Sequence, residues 1–443
     1  MSARFHVCLA IIGSVVAIAP ALGQETQPAA APEPTAPTSE AGRPAISFAS
    51  FLEQALRTNL DLAAQRAGLD ITKASIMTAR VRPDWSVDFG TPTVDLSGQG
   101  NPTNFSTGLG TTIEIGGKRG ARVKAASADF ETSSSGYQDA VRQFRATAAG
   151  AFINALSVRD ILDAKNRGLS QLDRIVSVNQ ERNRVGDIGE IELEQSRVAR
   201  DQFKADLVVA QADVYSADVT LAELLGDPQR ISVALPVPSG ALEIPVREFR
   251  VDVLVASALA TRSDVLSKQR AVKAAESRQE LARVNLIPDL SVNGSYSHTA
   301  AGTGGFAQPA DNTLGAGVSV NLPFSRWKNQ GEVEAAHAAR TQAEIQLRGA
   351  QLRVEVDVRD AYSKYLAAVQ RLQLYRGGLL KDAERVLEAR LYAYQRGGAT
   401  LLELIDAQRT DTDVHLAYSQ ALADHARALV NLEQSANFWD IAF

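Results

Sequence analysis

The sequence contains almost no cysteine, since Cys8 is the only one among 443 residues. Cys8 lies before the end of an apolar run, Val7 to Ala19, that follows Arg4 and leads to small residues ahead of Gln24. This pattern is typical of a cleaved secretory signal at 1–23. Because Cys8 is not placed to become the first residue of a mature lipoprotein, we expect an exported chain with no lipid anchor, disulfide or thiol chemistry.

Long hydrophobic runs are also missing after this leader. No later segment offers about 18 uninterrupted apolar residues, so no transmembrane helix is predicted. The formal net charge is -5 and no block of Lys and Arg stands out, so the composition gives no reason to expect a nucleic-acid partner.

Residues that could carry chemistry are sparse. After the leader the histidines include no pair spaced four apart, and they are His298, His337, His415 and His425. We predict no metal site and no cofactor. No catalytic constellation emerges either. The best candidates are Glu192 and Glu403, and the tip of a helical hairpin, where we expect them, offers no binding cleft. The chain is therefore predicted not to be an enzyme.

Two long stretches of the chain contain no proline, and this absence predicts very long helices. From Gly120 to about Arg182 there is no proline, and alanine, leucine and charged residues recur at helical spacing. Arg326 to Tyr394 has the same pattern. A helix of about 60 residues would be about 90 Å long, which is rare in globular domains.

Two hairpin tips indicate that the chain is a duplication. The stretch Arg396 to Gln408, RGGATLLELIDAQ, has a weaker copy at Val185 to Gln195, VGDIGEIELEQ. A shift of 211 positions places Gly186 on Gly397 and Glu192 on Glu403. Taken alone, such a tip is equally typical of an ordinary helical hairpin with a solvated acidic end.

Alternation with a period of two predicts four strands, at about 85–96, 104–115, 289–298 and 313–322. Pro83 to Val87, PDWSV, matches Pro288 to Val292, PDLSV. Each strand is about as long as a tilted strand needs to cross a bilayer, with one apolar and one polar face. The chain has no second sheet to cover the apolar faces, so we expect a membrane β-barrel.

These patterns together give the predicted organisation. The chain divides into a signal peptide (1–23), a disordered Pro/Ala-rich leader (24–46), a first repeat (47–228), a linker (229–250), a second repeat (251–438) and a tail (439–443). The predicted fold is mainly α with a membrane β-barrel. Four strands cannot close a barrel, so several chains must contribute, and a polar inner face favours three chains and twelve strands. Charges recur along the helices, so the duplicated hairpins should form a trimeric α-barrel in the periplasm.

The two-copy plan, the strand hairpins and the tips resemble the TolC family of trimeric outer-membrane efflux channels over about Ser47 to Phe438. The resemblance implies that acids at the tips narrow the periplasmic entrance, and the matching residues are Glu192, Glu403 and Asp406. An arginine that helps to latch the entrance in some relatives corresponds to Ala399 here. Arg184 or Arg396 could substitute for it, beside the tip glycines Gly186 and Gly397.

A narrower resemblance lies in Glu114 to Arg122, EIGGKRGAR, with Asn329 to Gly331, NQG, in the second half. This pattern is similar to the heavy-metal, CzcC-like branch of the family. A junction between strand and helix at the membrane edge would also need flexible glycine, and cations to meet anionic head groups, whatever the cargo.

The resemblance implies a passive exit duct in the outer membrane of a Gram-negative bacterium. It implies a homotrimer in contact with outer-membrane lipid, with a periplasmic adaptor and an inner-membrane RND pump as partners. The cargo would be heavy-metal cations or drugs. Two alternatives remain open: a type I protein-secretion duct that works with an ABC transporter, and a purely structural periplasmic coiled-coil adaptor.

Overall fold

The computed structural model describes residues 45–90, 104–227, 235–301, 309–322 and 326–441. The predicted signal peptide and all but the end of the predicted leader lie outside these ranges. The last residues of the strand predicted at about 85–96, and the first of the 229–250 linker, also lie outside them.

The first half of the chain runs from a short strand to a long helical hairpin. Its elements are β1 (Ala45–Ser47), α1 (Phe48–Thr58), α2 (Leu60–Arg80), β2 (Ser86–Gly90), β3 (Asn104–Ile113), α3 (Lys118–Arg184) and α4 (Glu190–Leu224). Helix α3 has 67 residues, and at 1.5 Å per residue it is about 100 Å long. The proline-free sequence thus forms one unbroken helix.

The second half repeats this order. After β4 (Val237–Ser239) come α5 (Val251–Thr261), α6 (Ser263–Val284), β5 (Leu290–Thr299), β6 (Asp311–Val320), α7 (Arg326–Leu374), a π-helical segment (Tyr375–Leu379), α8 (Leu380–Gln395) and α9 (Leu401–Ala436). The prediction of a single helix from 326 to 394 is wrong at 375–379. There Gly378 has φ 139°, so the chain leaves helical geometry between α7 and α8. The counterpart of α3 in the second half is therefore two helices, α7 and α8, joined by the π-helical segment.

Each half also breaks its first helix, which the periodicity did not predict. At Asn59 the backbone is extended, and the side chain accepts a hydrogen bond from the Leu62 amide (3.1 Å) while donating to the Leu224 carbonyl (3.3 Å). At Arg262 the backbone is again extended, and the guanidinium donates to the Ser435 carbonyl (3.1 Å). At each break a side chain therefore donates to a carbonyl in the last turn of a long helix, where the carbonyls have no partner within the helix.

The predicted linker contains one short strand. Strand β4, which lies in it, pairs in parallel with β1. The main hydrophobic core lies nearby, where α1, α3, α4, α7 and α9 meet. Its fully buried side chains include Phe51, Phe152, Leu221, Tyr365 and Leu429.

The other four strands form one antiparallel sheet in the order β2-β3-β5-β6. Register places the apolar residues of neighbouring strands side by side: Val87 pairs with Leu109, Ile113 with Leu290, and Leu290 with Val320. In the described residues nothing covers this apolar face, and Leu314 is 86% exposed. The other face carries Ser, Thr, Gly and Asn. The sheet thus has the two-faced pattern that the sequence predicts.

No helix in the described ranges has an apolar stretch long enough to cross a bilayer. The prediction of a mainly helical, duplicated chain with four sheet strands is confirmed.

Candidate functional site at the hairpin tips

The two hairpin tips have the same backbone turn. At the first tip Gly186 has φ 80°, and the amides of Gly186 and Asp187 donate to the carbonyls of Asn183 (3.0 Å) and Arg182 (2.8 Å). At the second tip Gly397 has φ 73°, and the amides of Gly397 and Gly398 donate to Tyr394 (3.1 Å) and Ala393 (2.8 Å) in the same pattern. Both turns are Schellman motifs, which need a residue in the left-handed conformation that glycine adopts without strain.

Glu403 also has a structural role, which the spacing of Thr400 and Glu403 could have indicated. The Thr400 side chain caps α9 by accepting from the Glu403 amide (3.3 Å), and the Glu403 carboxylate accepts from the Thr400 amide (2.9 Å). This capping box lowers the pKa of Glu403, chiefly through the hydrogen bond from the Thr400 backbone, with a smaller contribution from Arg390. Glu403 is exposed and remains charged at neutral pH.

The other two predicted acids lie at the same end of the molecule. Glu192 is half-buried in the first turn of α4, and its charge acts on Arg182 and Tyr394. Asp406 is exposed on α9, three residues after Glu403 and therefore on the same side of the helix. Glu192 and Glu403 lie in the first turns of α4 and α9, where the helix dipole favours negative charge.

Neither predicted latch arginine contacts the other tip among the described contacts. Arg184 forms an ion pair with Glu181 on its own helix. The Arg396 guanidinium lies 4.1 Å from the centre of the neighbouring Tyr392 ring. Both interactions are local, so they support the individual tips and not the contact between them.

Arg182 and Asn179 make the contact between the tips that the sequence reasoning missed. Arg182 donates to the Tyr394 carbonyl (3.1 Å) and lies 4.6 Å from the centre of the Tyr394 ring. The Tyr394 hydroxyl donates to the Asn179 side chain (2.7 Å), and both residues are buried. Burial raises the pKa of Tyr394 above its usual value, with a smaller contribution from Glu192, so the hydroxyl keeps its proton at neutral pH. Asn179 and Arg182 are three residues apart on α3, and that spacing is the signal that could have indicated a shared target.

A small apolar cluster supports this contact. Leu172 and Ile175 from α3 pack with Tyr394, Leu401 and Leu404 from the second tip. The two hairpins of one chain are therefore joined at their ends by buried side chains.

A polar layer follows immediately behind the apolar cluster. Gln171 donates to the buried Asp411 carboxylate (3.2 Å), and Gln408 donates to Thr412 (3.0 Å). His415 lies 3.5 Å from Glu384 on α8. In the described ranges no group of three or more His, Cys, Asp or Glu side chains is arranged to hold a metal ion.

Duplicated helical hairpins that carry one four-stranded sheet define the class of protein, and comparison with known families identifies it. The family model described as "Outer membrane efflux protein" matches residues 51–227 and 254–437, one stretch in each half. The chain belongs to the outer membrane efflux protein family. This confirms the resemblance seen in the sequence, and since the family consists of transport channels, the chain is not an enzyme.

Individual relatives agree with this assignment. The chain is 25% identical over 399 residues to the cobalt-zinc-cadmium resistance protein CzcC of Cupriavidus metallidurans, covering 88% of this chain and 89% of the relative. It is 26% identical over 281 residues to the outer membrane efflux protein BepC of Brucella suis, covering 62% and 59%.

Solved structures show the same fold at lower identity. CusC superposes with a TM-score of 0.74 at 16% identity, covering 88% of this chain and 92% of that one. The open state of the MtrE outer membrane channel of Neisseria gonorrhoeae gives a TM-score of 0.71 at 19% identity, covering 88% and 89%.

Proposed function

We propose that the chain is the outer-membrane exit duct of a tripartite efflux system and works as a homotrimer. The observation that carries the proposal is the four-stranded sheet, which has an exposed apolar face and two edge strands, β2 and β6, without a partner in the described chain. Unpaired edges are satisfied when a sheet closes, and membrane barrels need at least about eight strands. Three copies supply twelve strands and leave an interior wide enough for water.

The helical part also presents surfaces that suit a neighbouring copy. Along α4 and α7, large apolar side chains are mostly exposed in the single chain: Ile191, Val198, Val208, Tyr215, Ile345, Leu352 and Val356. Such stripes are stable in water when another helix covers them. Threefold assembly would cover them and extend the barrel as a helical cylinder.

At the far end of this cylinder, we infer that Glu192, Glu403 and Asp406 line the periplasmic entrance. Three copies gather nine carboxylates around one axis, and such a ring attracts cations. Because Glu403 also caps α9, we assign the pore charge mainly to Glu192 and Asp406. Arg182, Asn179 and Tyr394 act as the latch in this proposal, in place of Arg184 or Arg396.

The cargo and partners follow from the same reading. We assign heavy-metal cations as cargo, supported by the name of the CzcC relative and by the motif at Glu114 to Arg122. A periplasmic adaptor and an inner-membrane RND pump would deliver the cargo, and the duct would conduct it passively.

Single-channel recording in planar bilayers tests the entrance. Asp406→Asn with Glu192→Gln should reduce cation selectivity and raise the concentration of a trivalent cation needed for block, because six of the nine charges are lost. Asp70→Asn is the matched control, since Asp70 is exposed on α2, which leads to the sheet end of the molecule. Selectivity and block that stay at the wild-type level in the double variant would show that these acids do not line the entrance.

A further inference from the structure

The stretch Glu114 to Arg122 has a defined structure that the exit-duct function does not use. Gly116 and Gly117 have φ 75° and 78°, and α3 begins at the next residue, Lys118. Gly116 has a positive φ that favours glycine, and a Cβ there would collide with the Ile287 side chain. The two glycines turn the chain from strand to helix at once, which holds the basic residues of the first turns of α3 at the end of the sheet.

Two of these basic residues are used within the protein. Arg122 forms an ion pair with Glu114 (2.5 Å) and donates to the carbonyls of Ala79 (3.1 Å) and Val81 (2.9 Å) at the end of α2. Lys118 forms an ion pair with Asp289 (2.8 Å). They join α2, α3 and the start of β5 into one rigid junction.

Arg119 and Arg82 are left facing outward. Among the described residues, Arg119 donates only through its Nε, to the Arg80 carbonyl (2.8 Å), which fixes its position and leaves its terminal amino groups available there. The exposed Arg82 makes no hydrogen bond or ion pair with the described residues. Both arginines line an open cleft of about 720 Å³.

The charge of this cleft is suited to an anion. Its other charged lining residues are Asp84 and Glu114, and Glu114 is neutralised by its ion pair with Arg122. The guanidinium groups of Arg82 and Arg119 therefore face the Asp84 carboxylate, and the exposed Arg80 lies two residues before Arg82. Arginine is well matched to phosphate because its planar group can donate two parallel hydrogen bonds.

The location of the cleft indicates where the anion comes from. Trp85 and Ile113 also line it, 65% and 46% exposed, and they continue into the apolar face of the sheet. Tryptophan beside arginine at the end of an apolar surface is typical of a membrane interface. The charged helices begin at this same end, so in the exit duct proposed above the cleft would lie at the level of the lipid head groups.

Building on the proposed function, we propose that the cleft formed by Arg82, Trp85 and Arg119 binds the phosphate of an anionic phospholipid on the periplasmic side of the membrane. The bound head group fixes how deeply the sheet sits in the bilayer. In this assignment the motif that resembles the heavy-metal branch contacts the membrane; it supports the metal cargo as a sequence marker of that branch, and it is not itself a cargo-binding site.

Native mass spectrometry of the full chain in detergent tests the proposal. The protein is mixed with equal amounts of phosphatidylglycerol and phosphatidylcholine of the same acyl chains, with and without inorganic phosphate. The wild type should retain phosphatidylglycerol preferentially, also in the presence of phosphate. Arg82→Glu should lower the ratio of the two retained lipids at least about fivefold, and Arg82→Lys should keep most of the preference.

Arg66→Glu is the matched control, because Arg66 is exposed on α2 and makes the same charge change away from the cleft. Equal retention of both lipids by the wild type, or equal losses in Arg82→Glu and Arg66→Glu, would overturn the proposal. Loss of the preference on adding inorganic phosphate would show a general anion site, which also overturns it. If Arg82→Glu kept the lipid ratio but lost assembly with the adaptor, the cleft would be a protein-docking site.

Channel recording separates this proposal from the proposed function. A wild-type protein that conducts as a trimer but shows no lipid preference refutes the cleft assignment alone. A protein that forms no channel refutes the exit duct whatever lipid it retains.

Discussion

Replacing Tyr394 with phenylalanine should weaken the contact between the two hairpin tips and shift the channel towards a more open entrance. The substitution removes one hydroxyl, which donates a 2.7 Å hydrogen bond to Asn179 inside a buried cluster. The ring that packs beside Arg182 is kept.

The magnitude follows from burial. A hydrogen bond between neutral groups contributes about 1 kcal/mol, and a buried acceptor left without a donor costs about 1 to 3 kcal/mol. Because Asn179 is fully buried, we expect the upper part of this range. The upper part of the range, about 2 to 3 kcal/mol, corresponds to about 30- to 150-fold in the opening equilibrium.

The assay is the open probability of single channels in planar bilayers, compared with Tyr392→Phe. Tyr392 lies two residues away, is exposed, and makes no hydrogen bond through its hydroxyl among the described residues. The same chemical change should therefore have no effect there. Equal open probabilities in Tyr394→Phe, Tyr392→Phe and the wild type would refute the latch.

The latch also predicts a pH dependence with a definite sign. The pKa of Tyr394 is raised above its usual value near 10, so its contribution to the tip contact is complete below that pH and is lost as the pH rises through the higher, folded-state pKa. Open probability should rise in strongly alkaline solution in the wild type, and this rise should be smaller in Tyr394→Phe.

Three further results are expected. Val318→Arg, on the apolar face of the sheet, should destabilise the protein in lipid by about 2 to 4 kcal/mol, whereas Ser319→Arg on the other face should be tolerated; equal effects in thermal unfolding would show that the faces are wrongly assigned. Burial raises the pKa of Glu433 to about 7, so the free energy of unfolding should fall by up to about 3 kcal/mol as the pH rises from about 4.5 to above 7. Glu433→Gln should remove this fall in calorimetric scans, and an unchanged pH profile would contradict the argument. Deletion of the gene should sensitise cells to divalent transition metals more than to hydrophobic drugs, and sensitivity to drugs alone would reject the metal cargo.

The long-range plan of this chain was predictable because it depends on repeating patterns. Alternation around Val318 and Val320 identified a strand and its apolar face, and the register of the sheet then placed matching residues together. The glycines at 186 and 397 identified the tips because a left-handed turn has few alternatives.

The details of the tip contact were not predictable from local patterns. Arg184 and Arg396 looked suitable because they are close to the turns in sequence, but their nearest partners are Glu181 and Tyr392 on the same helix. Arg182 is also close to the turn, and only tertiary packing brings it to Tyr394, 212 residues away. The break at Gly378 was missed for a related reason: a glycine inside a helical pattern is often tolerated.

That break makes the two halves of the chain mechanically unequal. The helix that descends from the sheet to the first tip is a single strut of 67 residues, whereas the corresponding element of the second half has a joint at Tyr375–Leu379. A displacement of the second tip would therefore be taken up by rotation at Tyr375–Leu379, whereas a displacement of the first tip would be transmitted along the whole of α3. The two repeats have the same order of elements, but only the second repeat has a hinge in its long helix.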